Sequence, residues 1–590
     1  MKIENSSFFI LFCIFAAKMR RLTLFCIFLL SWLPHLHAQP KHEVRAVWIA
    51  TIGGIDWPSS YAHDGRGREA QQQQLCRMLD SLKTIHVNTV LLQTRVRATT
   101  LYPSAMEPWD ACLSGRAGAS PGYDALRFAI EECHRRGMEL HAWVVTIPVG
   151  KWQSAGCKNL RRRYPSMVRR MGDEGYMDPE SEMTATYLAD LCEEITRRYD
   201  IDGIHLDYIR YPEKWRGVMR RQRITHIVRR IHDRVKSLKP WVKLSCAPIG
   251  KYDDLARYSS RGWNAYSRVA QEAQSWLRDG LMDQLYPMMY FEGNGFYPFA
   301  IDWKEQSGGR TVAAGLGVYM LHPRQGDWQL GEIRRQLHVS RQLGLGHCYY
   351  RAKYLLDNVK GVRDYLKAFD SHPALVPPLV SGFKSQVSGF KSQVSSYCDT
   401  APEPPAGLHV IRTAQGDRVY WGEATDHSDG DYLLYNVYAS TDPMVDTADP
   451  ANLIATRLTS CRLDVPYVTR SRQPLNYAVT ATDRYGNESQ PCRLAAAVPS
   501  PHRPSSTLLN NNGKLLTVPT HLPFDAQLLT VNDLQGRRLI SVSSFKFQVS
   551  SGSYRGAIDI SILPDGVYEL RSQNRKGVAH RLGTFVIRRF

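Results

Sequence analysis

The sequence has no CxxC motif and, beyond its N-terminal segment, no apolar run long enough to span a bilayer. Its 12 cysteines are irregularly spaced, which argues against a metal site built from cysteine. No nucleic-acid-binding signature accompanies the net charge of +19, because the basic residues are scattered as small pairs such as Arg169–Arg170. The charge therefore favours an anionic partner or surface in general and argues against a nucleic acid.

The N-terminus is typical of an export signal. Met19-Arg-Arg supplies positive charge, Leu22–Trp32 is an apolar run, and Ala38 closes a small-residue cleavage site. We predict that residues 1–38 are a signal peptide, whose start could be Met19 because a second apolar run precedes it. An uncleaved anchor is the alternative. We expect a protein exported to the periplasm, the cell surface or the medium, without a stable membrane span after cleavage.

Short apolar strand patterns alternate with helical patterns between residues 41 and 370. The predicted strands are Val44–Ala50, Thr89–Thr94, Glu139–Val145, Gly203–Asp207, Lys243–Ala247, Gln284–Met289, Thr311–Gly315 and Gly346–Tyr350. Eight strands separated by helices predict an α/β fold, a (β/α)8 TIM barrel. An open doubly wound sheet is the alternative, but the Gly53-Gly54 pair after the first strand is not followed by a helix.

The remainder of the chain is read as a linker and two all-β sandwich domains. Residues 371–405 are rich in proline and contain a near-verbatim repeat at 381–387 and 388–394, with a related copy at 544–551, so we predict a low-complexity linker. Residues 406–499 and 505–590 carry alternating strands divided by Asp, Gly and Asn turns. Cys461 and Cys492 could form a disulfide within the first of these domains.

Asp207 is the most informative single residue. It ends a strand on which Ile204 and Leu206 share one face while His205 and Asp207 share the other. A carboxylate at the carboxyl end of a barrel strand is where this fold presents a catalytic acid. The alternative is that Asp207 caps the next helix or pairs with Arg210.

Several motifs of the barrel, in the same order, resemble the glycosyl-hydrolase-like 10 family of exported bacterial proteins. They are Glu43-Val-Arg-Ala-Val-Trp, Val96-Arg-Ala-Thr-Thr-Leu-Tyr-Pro-Ser, Glu107-Pro-Trp, Gly137-Met-Glu-Leu-His-Ala-Trp, Met177-Asp-Pro and Asp202-Gly-Ile-His-Leu-Asp-Tyr-Ile-Arg-Tyr-Pro. The family includes an enzyme that cuts peptide-free peptidoglycan glycans. The resemblance implies a barrel and glycoside hydrolysis.

Three further resemblances concern other segments. Asp202-Gly-Ile-His-Leu-Asp-Tyr is similar to a strand motif of family 18 chitinases, but Ile209 or Arg210 stands where their catalytic Glu would be. Residues 406–499 resemble a fibronectin type III domain, with Trp421 as its core tryptophan and Tyr477 in its tyrosine corner. Residues 505–590 resemble the C-terminal sorting domain of type IX export, which implies contact with export machinery. A plain terminal sandwich is the alternative.

Glycoside hydrolysis needs a proton donor and a second group that attacks or stabilises the sugar centre. We predict Asp207 as the general acid, with a pKa raised by aromatic surroundings. The second carboxylate is ranked Glu292 first and Asp56 second, because each follows a strand at the expected rim. The rim shows no local metal-ligand spacing, so we expect neither a metal nor another cofactor.

The candidate substrate-binding residues follow strand ends or share the face of Asp207. His141 would bond a sugar hydroxyl or orient Asp207, Arg95 and Arg97 would hold a carboxylate, and the aromatic residues would stack on sugar rings. For each of them, packing inside the barrel or an ion pair across the rim is the alternative. The set is His141, Trp143, Arg95, Arg97, Tyr102, Trp57, Tyr208, Arg210, Tyr211, Tyr286 and Tyr290.

The sequence therefore predicts an exported glycoside hydrolase acting on a bacterial polysaccharide, with the glycan of peptidoglycan as the expected substrate. A carbohydrate-binding barrel without catalytic activity is the first alternative. A surface or scaffold protein dominated by its β domains is the second.

Overall fold

The computed structural model describes residues 39–380, 400–413, 415–467 and 474–494, together with the segments 514–517, 526–533, 537–543, 548–550, 553–555, 557–574 and 579–587. The chain divides into two compact units, with the boundary between residues 494 and 495. The predicted signal peptide, the two repeats at 381–394 and Cys398 lie outside the described residues. Within the described ranges, no helix combines the length and the apolar character that crossing a membrane requires.

Eight parallel strands close into a barrel in the first unit, which confirms the predicted (β/α)8 fold. The ring closes where Arg45 of the first strand lies opposite His347 of the eighth. The barrel strands, in chain order and here called the first to the eighth, are Arg45–Ile49, Thr89–Arg95, Glu139–Val145, Gly203–Asp207, Lys243–Cys246, Gln284–Leu285, Thr311–Leu316 and Gly346–Tyr349.

The alternation of side chains along each strand builds two apolar layers. On the fourth strand, Ile204 and Leu206 point outward and pack under the surrounding helices. Inside the barrel, Trp48, Trp143 and Tyr286 belong to a separate buried cluster. The barrel interior is therefore filled with side chains, as expected for eight strands, and is not a channel.

Helices cover the outside of the barrel. The α-helices are Gly65–Lys83, Ala111–Ser114, Ala125–Arg135, Ala155–Arg163, Glu182–Arg198, Arg221–Leu238, Ala265–Val269, Ala273–Arg278, Tyr297–Glu305, Leu330–Gln342, Ala352–Leu356 and Val362–Phe369. Several begin at an aspartate cap, and Asp64 accepts a hydrogen bond from the Gly67 N–H at 2.7 Å. Between 264 and 279 there are two helices, because Ala270 adopts a left-handed conformation with φ of 57°.

A small antiparallel sheet is inserted between the third and fourth barrel strands. Its strands are Pro148–Lys151, Val168–Met171 and Glu174–Met177, and the last of these pairs with both others. Gly172, with φ of 65°, allows the tight turn between two of them. The Met177 N–H donates to the Ile147 carbonyl at 2.8 Å, which fastens the inserted sheet to the chain just beyond the third strand.

The described residues between 400 and 494 form a β-sandwich. One sheet contains Ala406–Arg412, Gly416–Gly422 and Arg462–Pro466, and the other contains Leu453–Leu458, Leu434–Ser440, Asn476–Thr482 and Cys492–Arg493. Trp421 is buried between them, and the Tyr477 hydroxyl donates to Asp417 Oδ2 at 2.8 Å. Cys461 and Cys492 are free thiols, so the disulfide considered for them does not form in this structure. The fibronectin type III resemblance remains a prediction.

The sandwich docks on the amino-terminal end of the barrel through charged side chains. Arg457 donates to Glu139 Oε1 at 3.0 Å and also bonds Asp202, while Arg484 lies 3.5 Å from Asp202 Oδ1. Both carboxylates are almost fully buried, and Lys243 of the fifth strand also pairs with Glu139. This end of the barrel is therefore closed by a buried network that includes both domains.

Residues 371–380, predicted as the start of the linker, run along the barrel and reach the sandwich. The Leu375 N–H donates to the Lys41 carbonyl at 2.8 Å, and the Leu379 N–H donates to the Tyr485 carbonyl at 2.8 Å. These bonds make the segment part of the first unit.

The second unit contains a four-stranded antiparallel sheet in the order Arg538–Ser543, Ala526–Asp533, Gly566–Asn574 and Ala579–Ile587. Two shorter pairs accompany it, Leu515–Thr517 with Ala557–Asp559 and Gln548–Ser550 with Ser553–Arg555. Leu529, Leu570 and Phe585 belong to its buried core. Its role in sorting remains a prediction.

Candidate functional site

Asp207 lies where the fourth strand ends, at the carboxyl end of the barrel, and its carboxyl group is buried. Oδ2 accepts a hydrogen bond from the Trp143 indole N–H at 3.1 Å, and Oδ1 accepts one from the Tyr208 N–H at 2.7 Å. Burial raises the pKa of Asp207, although the charge of Arg210 and the two hydrogen bonds act in the opposite direction. Because burial outweighs these opposing contacts, the Asp207 carboxyl group keeps its proton to higher pH than an exposed one, which suits a proton donor.

Tyr208 follows Asp207 in a left-handed backbone conformation, with φ of 55°. For a bulky residue this conformation costs about 1–3 kcal/mol, and such strain is concentrated at functional sites. Its side chain is 39% exposed and lies beside the carboxyl group. The Arg210 guanidinium lies 4.1 Å from the centre of the Tyr208 ring, close enough for a cation–π contact.

Below Asp207, the barrel interior contains a neutral histidine. His205 Nε2 lies 3.1 Å from the Trp48 indole N–H, and His205 Nδ1 lies 3.0 Å from the Ser245 hydroxyl. The indole can only donate, so Nε2 accepts and Nδ1 carries the proton. Burial lowers the pKa of His205 well below its usual range, which agrees with this neutral form. The imidazole therefore supports the site without adding charge beneath Asp207.

His141 lies deeper than the sequence suggested. It is fully buried, and its Nε2 is 3.1 Å from Glu139 Oε2, at the amino-terminal part of the third strand. Gly203 makes room for it, because a Cβ at that position would lie 2.6 Å from His141 Nδ1. His141 cannot contact a sugar from this position, so the predicted hydroxyl contact is replaced by a structural role.

Tyrosine rings surround the mouth of the barrel above Trp48. Tyr290 stacks on Tyr350 with ring centres 5.3 Å apart, and Tyr319 meets both rings edge-on. Tyr290 is partly exposed. Of the predicted stacking platforms, Tyr290 and Tyr208 therefore keep a surface that a ligand can reach.

The other predicted platforms are buried. The Tyr102 hydroxyl donates to Glu194 at 3.0 Å, the Trp57 indole donates to the Gln71 carbonyl at 2.9 Å, and the Tyr286 hydroxyl donates to Gln284 at 2.8 Å. Tyr211 is also buried and bonds Glu180 through its hydroxyl. Because their rings are packed inside the protein, no sugar stacks on Tyr102, Trp57 or Tyr286 in this conformation. Tyr211 contributes only to a cavity wall. Trp143, which was also predicted to bind substrate, holds Asp207 instead.

The two arginines after the second strand have different roles. Arg95 is fully buried, pairs with Glu107 at 2.7 Å and donates to the Thr146 carbonyl, so it is not free to bind a ligand carboxylate. Arg97 is 39% exposed at its side chain and lies 3.6 Å from Glu174 of the inserted sheet. Only Arg97 keeps the predicted access to a ligand.

The two candidates for the second carboxylate also differ. Asp56 is buried, pairs with Arg351 and accepts hydrogen bonds from the Ala50 and Lys353 N–H groups at 2.8 and 3.1 Å. These contacts engage both of its oxygens and connect the first strand to the end of the eighth, so Asp56 acts as a structural brace in this structure. Glu292 is exposed after the sixth strand, and in the described part of the chain its carboxylate has no hydrogen-bond or ion-pair partner.

A cavity of about 220 Å³ lies between the inserted sheet and the segment 208–214, which directly follows Asp207 in the chain. Its walls include Arg97, Tyr176, Tyr208, Arg210 and Lys214. The inserted sheet was not predicted from the sequence, so Tyr176 and Glu174 were not among the predicted site residues. The glycines at 150, 172 and 175 were the available signal of turns in that segment.

One group of side chains has the composition of a metal site. Oxygen and nitrogen atoms of Glu43, His347 and Asp370 lie within 4.8 Å of one another, at the amino-terminal end of the barrel. Guanidinium nitrogens of Arg45 and Arg341 lie 2.5–3.3 Å from carboxylate oxygens of Glu43 and Asp370. The two guanidinium groups balance the two carboxylates, so this cluster is an ion-pair network remote from Asp207.

Several known proteins are similar to this chain in sequence. The profile described as Glycosyl hydrolase-like 10 matches residues 43–219 and 213–314. Glycosyl hydrolase YngK of Bacillus subtilis (strain 168) is 30% identical over 387 residues, covering 58% of this chain and 75% of that protein. Glycosyl hydrolase DigH of Escherichia coli (strain K12) is 27% identical over 298 residues, covering 44% of this chain and 68% of that protein.

Among solved structures, the PgaB (BpsB) glycoside hydrolase domain from Bordetella bronchiseptica is 12% identical, with a TM-score of 0.39, and covers 56% of this chain and 98% of that one. The sequence relatives support a function of the glycoside hydrolase type. Since the barrel contains the matched residues and the chain covers three quarters of the Bacillus relative, this protein belongs to the glycosyl hydrolase-like 10 family.

Proposed function

We propose that this protein is an exported glycoside hydrolase that cleaves the glycan strands of peptidoglycan, with Asp207 as the general acid. The observation that carries the proposal is the carboxyl group of Asp207. It is buried at the carboxyl end of the fourth strand, held by two hydrogen bonds, and has a raised pKa. These are the properties that a proton donor to a leaving glycosidic oxygen requires.

The remaining roles follow from access to the mouth of the barrel. Glu292 is the proposed second carboxylate, because it is exposed beyond the sixth strand and Asp56 is engaged by Arg351. Tyr290 and Tyr208 are the proposed stacking surfaces for sugar rings. Trp143 orients the acid. Peptidoglycan is proposed because of the motif resemblance, and export because of the predicted signal peptide at 1–38.

The β domains are assigned supporting roles in this proposal. The sandwich at 406–494 is a docked spacer, and the C-terminal unit is a sorting domain that contacts export machinery. No nucleic-acid partner is proposed.

The test compares the full chain, wild type and Asp207→Asn, on peptide-stripped and on intact peptidoglycan. New reducing ends and their masses would be measured. We expect release from the stripped polymer, and a loss of about 10²–10⁴-fold in the variant because a general acid is removed. Asp279→Asn, an exposed carboxylate on the outer surface, is the matched control and keeps full activity.

Glycan binding without turnover by the wild type would contradict the proposal and support the carbohydrate-binding alternative. Equal activity of Asp207→Asn and Asp279→Asn would remove Asp207 from the chemistry.

A further inference from the structure

The cavity wall contains a buried cation, Arg210, whose guanidinium lies over the Tyr208 ring and has one nitrogen without a hydrogen-bond acceptor in the described part of the chain. Arg210 is 5% exposed, and in the described part of the chain its Nη1 has no hydrogen-bond acceptor and no carboxylate lies within ion-pairing distance. A buried guanidinium nitrogen without a partner costs free energy, because it has lost water without gaining an acceptor. Such groups in native structures call for an explanation, and a ligand is one.

Asp207 interacts with the charge of Arg210, but among the described residues no carboxylate makes an ion pair with it. Both oxygens of Asp207 accept hydrogen bonds from Trp143 and Tyr208. Glu174, across the cavity, is engaged by Arg97 and accepts a hydrogen bond from the Tyr176 hydroxyl at 2.7 Å. Arg210 therefore keeps its charge available to a group that enters the cavity.

The cavity wall carries three basic and two acidic side chains. Arg97 and Arg210 line it, and the exposed Lys214 lies at its border, together with the acidic Glu174 and Glu213. Pockets for drug-sized ligands are roughly 300–1,000 Å³. A volume of about 220 Å³ therefore accepts one sugar ring or one substituent of a ring.

We propose that this cavity is a subsite for a carboxylate carried by the glycan, and that Arg210 binds that carboxylate beside Asp207. The proposal rests on the proposed glycosidase function and adds a specificity-determining residue, Arg210. A guanidinium pairs with a carboxylate through two parallel hydrogen bonds, which a neutral amide cannot accept in the same way. The carboxylate is either the lactyl ether group of a peptide-free muramic acid or the C6 group of a uronic acid.

The test measures binding by calorimetry with the full chain carrying Asp207→Asn, so that the ligand is not consumed. The ligands are a peptide-free peptidoglycan oligosaccharide, the same oligosaccharide with its lactyl carboxylates converted to amides, and an oligouronide of equal length. We expect the carboxylate form to bind about 10–100-fold more tightly than the amide form, as for a hydrogen bond to a charged group.

Arg210→Gln should reduce this ratio to about one. Arg229→Gln, which removes an exposed arginine from the helix Arg221–Leu238, is the matched control and should leave the ratio unchanged. A preference for the oligouronide that depends on Arg210 would keep the subsite and assign the carboxylate to a uronic acid. The proposal would be overturned if Arg210→Gln left the ratio of carboxylate to amide affinity unchanged.

Two further results keep the test decisive. If Arg210→Gln does not fold, the test rests on the protein that retains Arg210. Equal affinities of this protein for the carboxylate and amide oligosaccharides would then overturn the proposal. If no oligosaccharide binds, sodium lactate is titrated while the side-chain N–H resonance of Arg210 is followed by NMR, and the absence of a shift overturns it. Carboxylate-dependent binding without hydrolysis by the wild type would contradict the proposed function and leave the subsite standing.

Discussion

Removing Arg457 should destabilise the first unit more than removing an exposed arginine does. Arg457 belongs to the sandwich, but it bonds Glu139 and Asp202 inside the amino-terminal end of the barrel. Burial would raise the pKa of Glu139, but the charges of Lys243 and Arg457 outweigh it and hold that pKa at about 2, against an ordinary 4.5. This difference corresponds to about 3 kcal/mol of favourable interaction.

Arg457→Met removes one positive charge that pairs with the buried carboxylates of Glu139 and Asp202. Loss of one partner of a buried ion pair lowers the free energy of unfolding by about 3–5 kcal/mol. The assay is urea denaturation of the full chain at pH 7, followed by tryptophan fluorescence. The control is Arg462→Met, whose exposed pair with Asp464 should contribute about 0–1 kcal/mol. Equal midpoints for the two variants would refute the reasoning.

The buried charges around Glu139 also make the stability of the first unit depend on pH. Because the pKa of Glu139 is lowered in the folded protein, its contribution is complete above about pH 4.5 and is lost as the pH falls toward 2. The stability difference between wild type and Arg457→Met should therefore shrink across this window. A difference that stays constant down to pH 2 would show that Arg457 acts through packing or through Asp202, whose pKa is held well below its usual range, rather than through Glu139.

Two further substitutions test the site and its support. Gly203→Ala places a methyl group 2.6 Å from the buried His141 ring, so we expect it to lower the free energy of unfolding in urea by about 1–3 kcal/mol. Gly331→Ala, where nothing lies within 4 Å of the added carbon, should stabilise its helix by up to about 1 kcal/mol. Equal free energies of unfolding for the two variants would contradict the packing around His141. Trp143→Phe removes a hydrogen bond that lowers the pKa of Asp207, so the pKa of Asp207 should rise. The alkaline limb of the pH–rate profile should then move up by about one pH unit. An unchanged alkaline limb would show that Trp143 does not influence the general acid.

The barrel could be predicted from sequence because each strand carries a strong local pattern. The third and fourth strands, Glu139–Val145 and Gly203–Asp207, begin and end at the predicted residues. The sixth strand was predicted to reach Met289 but ends at Leu285. Pro287 lacks the N–H that a ladder hydrogen bond needs, which shortens this strand.

The site was less predictable, because its contacts join residues that are distant in the chain. The position of Asp207 at a strand end could be read from periodicity alone. That Arg95 is paired with Glu107, and that Asp56 is paired with Arg351, depends on loops folding over the rim. The inserted sheet has short strands with few β-branched residues, so the sequence did not indicate one wall of the cavity.

The docked sandwich was recognised as a domain but not as a partner of the barrel. Arg457 and Arg484 look like ordinary surface arginines in a β-strand or turn, and no pattern assigns them to Asp202. Such a contact depends on how two domains meet, which local propensity does not encode.

The sandwich occupies the end of the barrel opposite Asp207, and this separation has an evolutionary consequence. Loops at the carboxyl ends of the strands can change without disturbing the buried charges around Glu139 and Asp202. If Arg210 binds a glycan carboxylate as proposed, relatives with this architecture can change their glycan preference at that end while the buried charges at the other end stay the same. Variants that alter specificity and variants that alter stability should thus map to opposite ends of the same barrel.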